Sequence, residues 1–394
     1  MSNIIDELIR EKFKKESLIF QNKEILHPEY IPETLPHREN EIRRLAEILL
    51  VSLRGERPSN VLIYGLTGTG KTAVTKYVVK HLSDKALNLN VKISYAYVNT
   101  RKVDTTYRVI ASIASSLGLR IPLTGLAISE VYRRYINALN SWSGLHIVIL
   151  DEIDYYVRRE GDDLLYKLVR INEELSGAKV SLIGITNDLN FVENLDPRIK
   201  SSLGEEEIVF PPYNAEQLFD ILLERASKAF KPGAIDEETI SYCAALAARE
   251  HGDARRALDL LRLAGEIAER EGSSRVTNEH VKRASLELEE GRIYQAASTL
   301  PLHAKLLLKS IIALVKKQGS CTTGEAYNKY VELTRSLGYE PLTQRRISEM
   351  INQLDMMGLI NATVVNRGRY GKTKLIKISS DIIDTIERSI GTIH

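Results

Sequence analysis

The stretch Gly65-Leu66-Thr67-Gly68-Thr69-Gly70-Lys71-Thr72 constrains this chain more than any other feature. It fits G-x-x-x-x-G-K-[ST], follows the apolar run Val61-Leu62-Ile63-Tyr64 and opens a helical pattern over Ala73–His81. That strand–loop–helix context is what the motif needs to hold phosphate. Glycines let the backbone wrap tightly and aim its N–H groups at phosphate oxygens, and the positive end of the helix dipole faces the same anion. Lys71 is then placed to reach the β- and γ-phosphates, and the Thr72 hydroxyl to hold Mg²⁺. The reading makes Gly65, Thr67, Gly68, Thr69, Gly70, Lys71, Thr72 and Ala73 contacts for ATP or ADP. A glycine-rich structural turn is the competing reading, and the flanking strand and helix weigh against it.

Apolar runs of the same kind recur at Val91–Val98, His146–Leu150 and Val180–Ile185, with helical patterns between them. Short apolar strands alternating with helices predict parallel βαβ units and an open α/β sheet. The run ending at Leu150 continues into Asp151-Glu152. A carboxylate at the tip of a parallel strand can complete a Mg²⁺ shell, so Asp151 joins Thr72 as a metal residue. Glu152 is placed to orient or activate an attacking water. The alternative is that both residues only cap the next helix. The run ending at Ile185 continues into Thr186-Asn187, and Asn187 would lie between the other strand tips, within reach of a γ-phosphate or its water, with a plain turn residue as the alternative.

From Ala215 to about Gly291 the pattern is helical throughout, including Ala244–Glu250, Arg255–Glu271 and Glu279–Glu290. A third segment follows Ser298. The expected division is 1–212 for a lead-in and α/β nucleotide-binding domain, 213–297 for a helical lid, and 298–394 for a C-terminal domain. The net charge is +2, but Leu300–His394 carries 14 Lys and Arg against 8 Asp and Glu, leaving the rest of the chain acidic. That asymmetry points to an anionic partner at the C-terminal end, with a solvated basic face as the alternative. The only cysteines, Cys243 and Cys321, fall in different segments and read as buried thiols. No apolar run approaches the roughly 20 residues that span a bilayer. With no secretory pattern at the start, the expectation is an intracellular, cytoplasmic and nucleoid-associated protein that is not secreted and has no membrane partner.

In the C-terminal segment, Leu302–Lys317 reads as an amphipathic helix. Thr322 and Glu325 form a capping box for a helix through Leu333, and Pro341-Leu342-Thr343 opens another over Gln344–Met357. Leu359–Val365 and Lys374–Ile378 then flank a basic tip containing Gly368 and Gly371, as a hairpin wing would. Three helices and a wing predict a winged helix. Gln344, Arg345 and Arg346 open its recognition helix, where side chains can enter the major groove. Arg367, Arg369, Lys372 and Lys374 suit phosphates or the minor groove, and Tyr370 suits packing on sugar. A protein-binding role for this winged helix is the alternative.

The phosphate loop, Asp151-Glu152 and Asn187, in this order, resemble the Walker A, Walker B and sensor-one elements of AAA+ ATPases. Gly252-Asp253-Ala254-Arg255-Arg256-Ala257-Leu258 looks like a sensor-two motif, which implies that Arg255 reaches the γ-phosphate. Asp196-Pro197-Arg198-Ile199-Lys200 looks like a segment that offers an arginine finger in trans, with Arg198 as the finger and Lys200 the weaker candidate. Together with Leu35-Pro36-His37-Arg38-Glu39, these resemble the archaeal-type origin recognition and cell-division-control AAA+ initiators, from about Tyr30 to the C-terminus. The resemblance implies nucleotide contacts at Pro36, His37, Tyr213 and Arg225. It also implies a DNA-touching insert after the predicted helix Thr105–Leu117, where Arg120 is the residue to test.

The expected fold is therefore an α/β AAA+ P-loop domain with a parallel sheet, a helical lid and a C-terminal winged helix. The expected activity is slow ATP hydrolysis used as a switch. The implied partners are double-stranded origin DNA, other initiator subunits and an MCM-type replicative helicase. A branch-migration type DNA motor, or a regulatory ATPase with a winged-helix spacer, are the rival readings.

Overall fold

In the computed structural model, the apolar runs become the strands of one five-stranded sheet, β1 (Val61–Gly65), β2 (Ile93–Asn99), β3 (Leu145–Asp151), β4 (Lys179–Thr186) and β5 (Glu206–Phe210). The structure describes residues 17–391 except 29, 31, 104, 123 and 367–371. All four neighbouring pairs are parallel, in the order β2-β3-β4-β1-β5. Every residue of β3 is buried, as are all but the first of β4, which is why these strands read as unbroken apolar runs.

Alternate residues feed two cores. Val148, Leu150, Val180 and Leu182 pack beneath α3 (Thr106–Ser115), α4 (Ile128–Trp142), α5 (Ile153–Glu160), α6 (Asp163–Arg170) and α7 (Pro197–Leu203). Ile147, Ile149, Ile183 and Ile185 pack against α1 (Glu39–Leu50) and α2 (Lys71–Asn88). Helix α1 tightens into a 3₁₀ turn over Val51–Arg54 and ends at Gly55, whose φ is +76°. The strand β5 is an addition to the sequence reading. It carries Glu206 and Glu207 because it is an edge strand, so no apolar run marked it.

Four helices follow, α8 (Ala215–Ala229), α9 (Glu237–Arg249), α10 (Ala254–Arg270) and α11 (Asn278–Ser298). The described part of the lead-in is packed against the helical segment. Ile19, Phe20, Ile25 and Leu26 are buried, Phe20 bridges to Phe230, and Lys231 N–H donates to the Ile19 carbonyl at 2.9 Å. The residues before the sheet therefore pack on helices that follow it.

The chain divides into two compact units, one ending at Val281 and the other beginning at Lys282, within α11. In the second unit, α12 (Leu302–Gln318) buries Leu306, Leu307, Leu308, Ile311 and Ile312 at the centre of its own core. It is followed by β6 (Cys321–Thr322), α13 (Thr323–Ser336), α14 (Gln344–Met356), the hairpin β7 (Asn361–Asn366) and β8 (Lys372–Lys377), and α15 (Ser380–Ile390). The antiparallel sheet runs β6-β8-β7. The capping box is present: Glu325 N–H donates to Thr322 Oγ1, and Thr322 N–H to Glu325 Oε2 at 2.7 Å. The sequence reading passed over β6 and α15, although Ile383, Ile386 and Ile390 carry a helical spacing. Among the described residues, no helix is long and apolar enough to cross a membrane.

Candidate functional site

A cavity of about 660 Å³ opens at the C-terminal ends of β1 and β3, where a parallel α/β sheet presents its ligand crevice. Thr67, Gly68, Thr69, Gly70, Lys71, Thr72 and Ala73 line it, as do Pro36, Asp151, Glu152, Asn187, Tyr213, Arg225 and Arg255. Two of the expected nucleotide residues are not on its wall. Gly65 lies beneath the loop, and His37 turns its Nε2 to Asp220 Oδ2 at 2.7 Å.

The loop is shaped by its own carbonyls as much as by its glycines. Lys71 is buried, and its ammonium donates to the carbonyls of Gly65 at 2.8 Å and Leu66 at 2.7 Å. Burial pushes its pKa down to about 8, against the opposing pull of Asp151. Gly68 stands at φ +70°, and a Cβ there would lie 1.7 Å from Asp253 Oδ1. Only glycine permits that approach. Asp253 is the N-cap of α10, accepting from Arg255 and Arg256 N–H, and Ala254 N–H donates to the Gly68 carbonyl at 3.1 Å. The first turn of the helix carrying Arg255 thus rests directly on the phosphate loop.

Asp151 and Thr72 meet across the sheet edge: Thr72 Oγ1 donates to Asp151 Oδ2 at 2.8 Å. The Tyr97 hydroxyl donates to the same oxygen at 2.7 Å, and its phenol pKa is raised, first by burial and then by Asp151. Glu152 sits at φ +57°, accepts from Asn99 Nδ2 at 3.1 Å and pairs with Arg101 at 3.5 Å. Since β4 runs between β3 and β1, Asn187 emerges between their tips, and its backbone N–H reaches Asp154 Oδ1 at 3.4 Å. Among the described residues no three His, Cys, Asp or Glu side chains converge as a metal cage. The Thr72 hydroxyl and Asp151 carboxylate are hard oxygen donors of the kind Mg²⁺ takes together with substrate phosphates.

Two arginines that the resemblance singled out make further contacts within the chain. Arg225 is only 7% exposed and donates to the carbonyls of Ile25 at 3.0 Å and Tyr30 at 3.3 Å, with its guanidinium over the Tyr30 ring. It ties the lead-in to α8 while still facing the cavity. Arg198 is exposed on α7 and forks onto Asp196 at 3.0 and 2.9 Å, which holds that carboxyl down at about 2; Arg198 does not line this cavity. Lys200 is exposed on the same helix.

Arg38 escaped the residue-by-residue reading although it lies inside the quoted Leu35–Glu39 stretch. Its guanidinium is 1% exposed and donates to the carbonyls of Thr69 at 2.8 Å and Pro211 at 2.6 Å. Tyr97 and Asn99 were also missed. They sit two residues apart at the end of β2, and no motif marks them.

The second unit holds the expected duplex-facing residues. Gln344, Arg345 and Arg346 are exposed in the first turn of α14, with the Arg345 side chain 92% exposed. Glu349 faces both arginines, at 2.9 Å from Arg346 and 3.5 Å from Arg345. Lys374 Nζ donates to Asn352 Oδ1, joining β8 to α14. Arg367, Arg369 and Tyr370 lie outside the described residues, and Lys372 is described only as the first residue of β8. In the first unit, Arg120 is exposed on the connection after α3, between Leu119 and Ile121, which turn into the core.

Three family profiles match the chain: an AAA ATPase domain over residues 34–183, a Cdc6 AAA+ ATPase-type lid domain over 219–286 and a CDC6 C-terminal winged helix domain over 295–388. An ORC1-type DNA replication protein of Desulfurococcus amylolyticus is 70% identical over 99% of this chain and 99% of its own. An ORC1-type DNA replication protein 1 of Sulfolobus acidocaldarius is 55% identical over 97% and 96%. The solved structure of the Aeropyrum pernix ORC1 protein in complex with DNA superposes with a TM-score of 0.85 at 54% identity, covering 95% of this chain and 97% of that one.

Proposed function

This chain belongs to the ORC1/Cdc6-type DNA replication proteins, and from that premise we propose that it is an initiator that recognises double-stranded origin DNA under the control of a bound nucleotide. In this reading it acts in the cytoplasm at the nucleoid, assembles with other initiator subunits, and helps to recruit or load an MCM-type helicase.

The observation that carries the reading is the seat of α10 on the phosphate loop, through Ala254 N–H to the Gly68 carbonyl and Asp253 against Gly68. Lys71 and the backbone N–H groups of the loop are placed to bind phosphates, and Thr72 with Asp151 to hold Mg²⁺. When bound, ATP supplies a γ-phosphoryl group whose hydrolysis removes one anionic anchor. Glu152 would orient the attacking water and accept its proton, and Asn187 would steady it. Arg255, in the first turn of α10, would neutralise the γ-phosphate from the lid side. Because loop and lid touch directly, loss of that anchor would shift the lid, which is how one site can set a two-state equilibrium. Hydrolysis is slow in this reading because the arginine finger, Arg198, comes from a neighbouring subunit.

On the DNA side, exposed Gln344, Arg345 and Arg346 at a helix N-terminus suit the major groove, and the excess of Lys and Arg after Leu300 supports it. The Aeropyrum pernix relative in complex with DNA supports a DNA-binding role. The test is occupancy mapping of the protein on its own chromosome, followed by titration of the recovered duplex against random duplex at matched salt. The expected outcome is a clear preference for the mapped sites, while Lys71→Ala, which no longer binds ATP, keeps much of its duplex affinity. Equal affinity for both duplexes would overturn the reading.

A further inference from the structure

The phenol of Tyr97 belongs to none of the motifs, yet it touches the carboxylate on which the metal site depends. Strand β2 sets it there: in the parallel ladder Tyr97 pairs with Ile149 and Asn99 with Asp151. The hydroxyl donates to Asp151 Oδ2 at 2.7 Å, and the Thr72 hydroxyl donates to that oxygen at 2.8 Å. The other oxygen, Oδ1, accepts the Glu152 N–H at 3.0 Å. Both oxygens of Asp151 are therefore engaged, and its carboxylate plane is held on three sides. The Tyr97 ring is held in turn, because the Lys76 ammonium, one turn beyond Thr72 on α2, lies 3.8 Å above it.

A hydroxyl carries one proton and two lone pairs. By giving its proton to Asp151 Oδ2, Thr72 keeps its lone pairs for a cation. An ionised carboxylate only accepts, so a Tyr97 hydroxyl beside it can only donate. We propose that Tyr97 is a positioning residue for the metal: it fixes the orientation of Asp151 so that Oδ2 directs the Thr72 hydroxyl proton away from the Mg²⁺ position. Without the phenol oxygen, Oδ2 loses one of its two donors, and the carboxylate and the Thr72 hydroxyl gain freedom to turn together. Outer-sphere hydrogen bonds of this kind typically change metal affinity by about 10–100-fold.

The inference rests on the nucleotide and Mg²⁺ reading of this site, and the experiment separates the two. Full-length protein and Tyr97→Phe are titrated with fluorescent ADP in EDTA, then with Mg²⁺ at fixed ADP, and both are melted in EDTA without nucleotide. The expected result is a half-saturating Mg²⁺ concentration raised about tenfold, with metal-free ADP affinity and melting temperature unchanged. Identical Mg²⁺ titrations would overturn the assignment. So would an equal fall in metal-free affinity, or loss of the fold, because the hydroxyl would then serve the architecture and not the metal. Failure of the unaltered protein to bind ADP at all would instead remove the nucleotide reading beneath it.

Discussion

The guanidinium of Arg38 lies 3.7 Å above the ring of Tyr213, and both side chains are buried. The same guanidinium donates to Thr69 in the phosphate loop and to Pro211 at the exit of the sheet. One side chain thus joins the loop to the segment that leads into α8. Arginine suits the position because its flat fork can stack and donate in several directions, whereas an ammonium does neither well. Arg38→Met leaves two buried carbonyls without donors and is expected to lower the unfolding free energy by about 3 kcal/mol, Arg38→Lys by roughly half of that. Guanidinium denaturation of the three proteins checks it, and three coincident curves would show the clamp to be dispensable.

Gly68 and Asp253 make the loop–lid seam directly testable. Gly68→Ala must abandon a φ of +70° and displace Asp253, so nucleotide affinity is expected to fall at least about tenfold. Adding Asp253→Ala removes the collision but not the backbone strain, so the double variant should recover part of the loss. A double-mutant cycle on ADP binding measures that coupling, and strictly additive losses would mean that loop and lid act independently.

Among the described residues the exposed Arg198 side chain meets Asp196 and the Tyr166 ring, and it can face another subunit. Arg198→Ala should leave ADP affinity unchanged in dilute protein. It should reduce the hydrolysis rate of the assembled, DNA-bound protein to that of the dilute monomer, a finger being worth about 10³–10⁵ in rate. If Arg198→Ala hydrolyses as fast as the parent in the assembly while Lys200→Ala does not, the finger is Lys200.

His146 gives the fold a pH dependence. Ser116 Oγ donates to the Ile113 carbonyl at 2.7 Å, so at the 2.8 Å contact with His146 Nε2 the imidazole is the donor, and the Tyr135 hydroxyl donates to Nδ1 at 2.9 Å. The neutral ring is fully satisfied, and burial pushes its pKa from 6.5 down to about 4. Between those values the unfolded chain binds a proton that the native state does not, so stability falls as pH drops through that window and is unaffected above it. The loss tends toward about 3 kcal/mol at the acid end. His146→Gln should lose less stability than the parent between pH 7 and 4.5 in urea unfolding; parallel curves would show that His146 is not the titrating group.

Most of what the sequence determined by itself is local. The phosphate loop, the strand tips at Asp151 and Thr186, and the Thr322–Glu325 capping box were legible because their partners lie within a few residues, or because burial on both faces leaves an unbroken apolar run. Tertiary structure decided the rest. Arg38 finds Pro211, 173 residues away, and Arg225 finds Ile25, 200 residues away. His37 turns to Asp220, and Tyr97 reaches Asp151 only because β2 lies beside β3 in the sheet. A charged or phenolic side chain takes its role from whichever carbonyl or carboxylate the packed fold brings within about 3 Å. Spacing along the chain records the elements that carry such groups, while their meeting is set by how those elements close on one another.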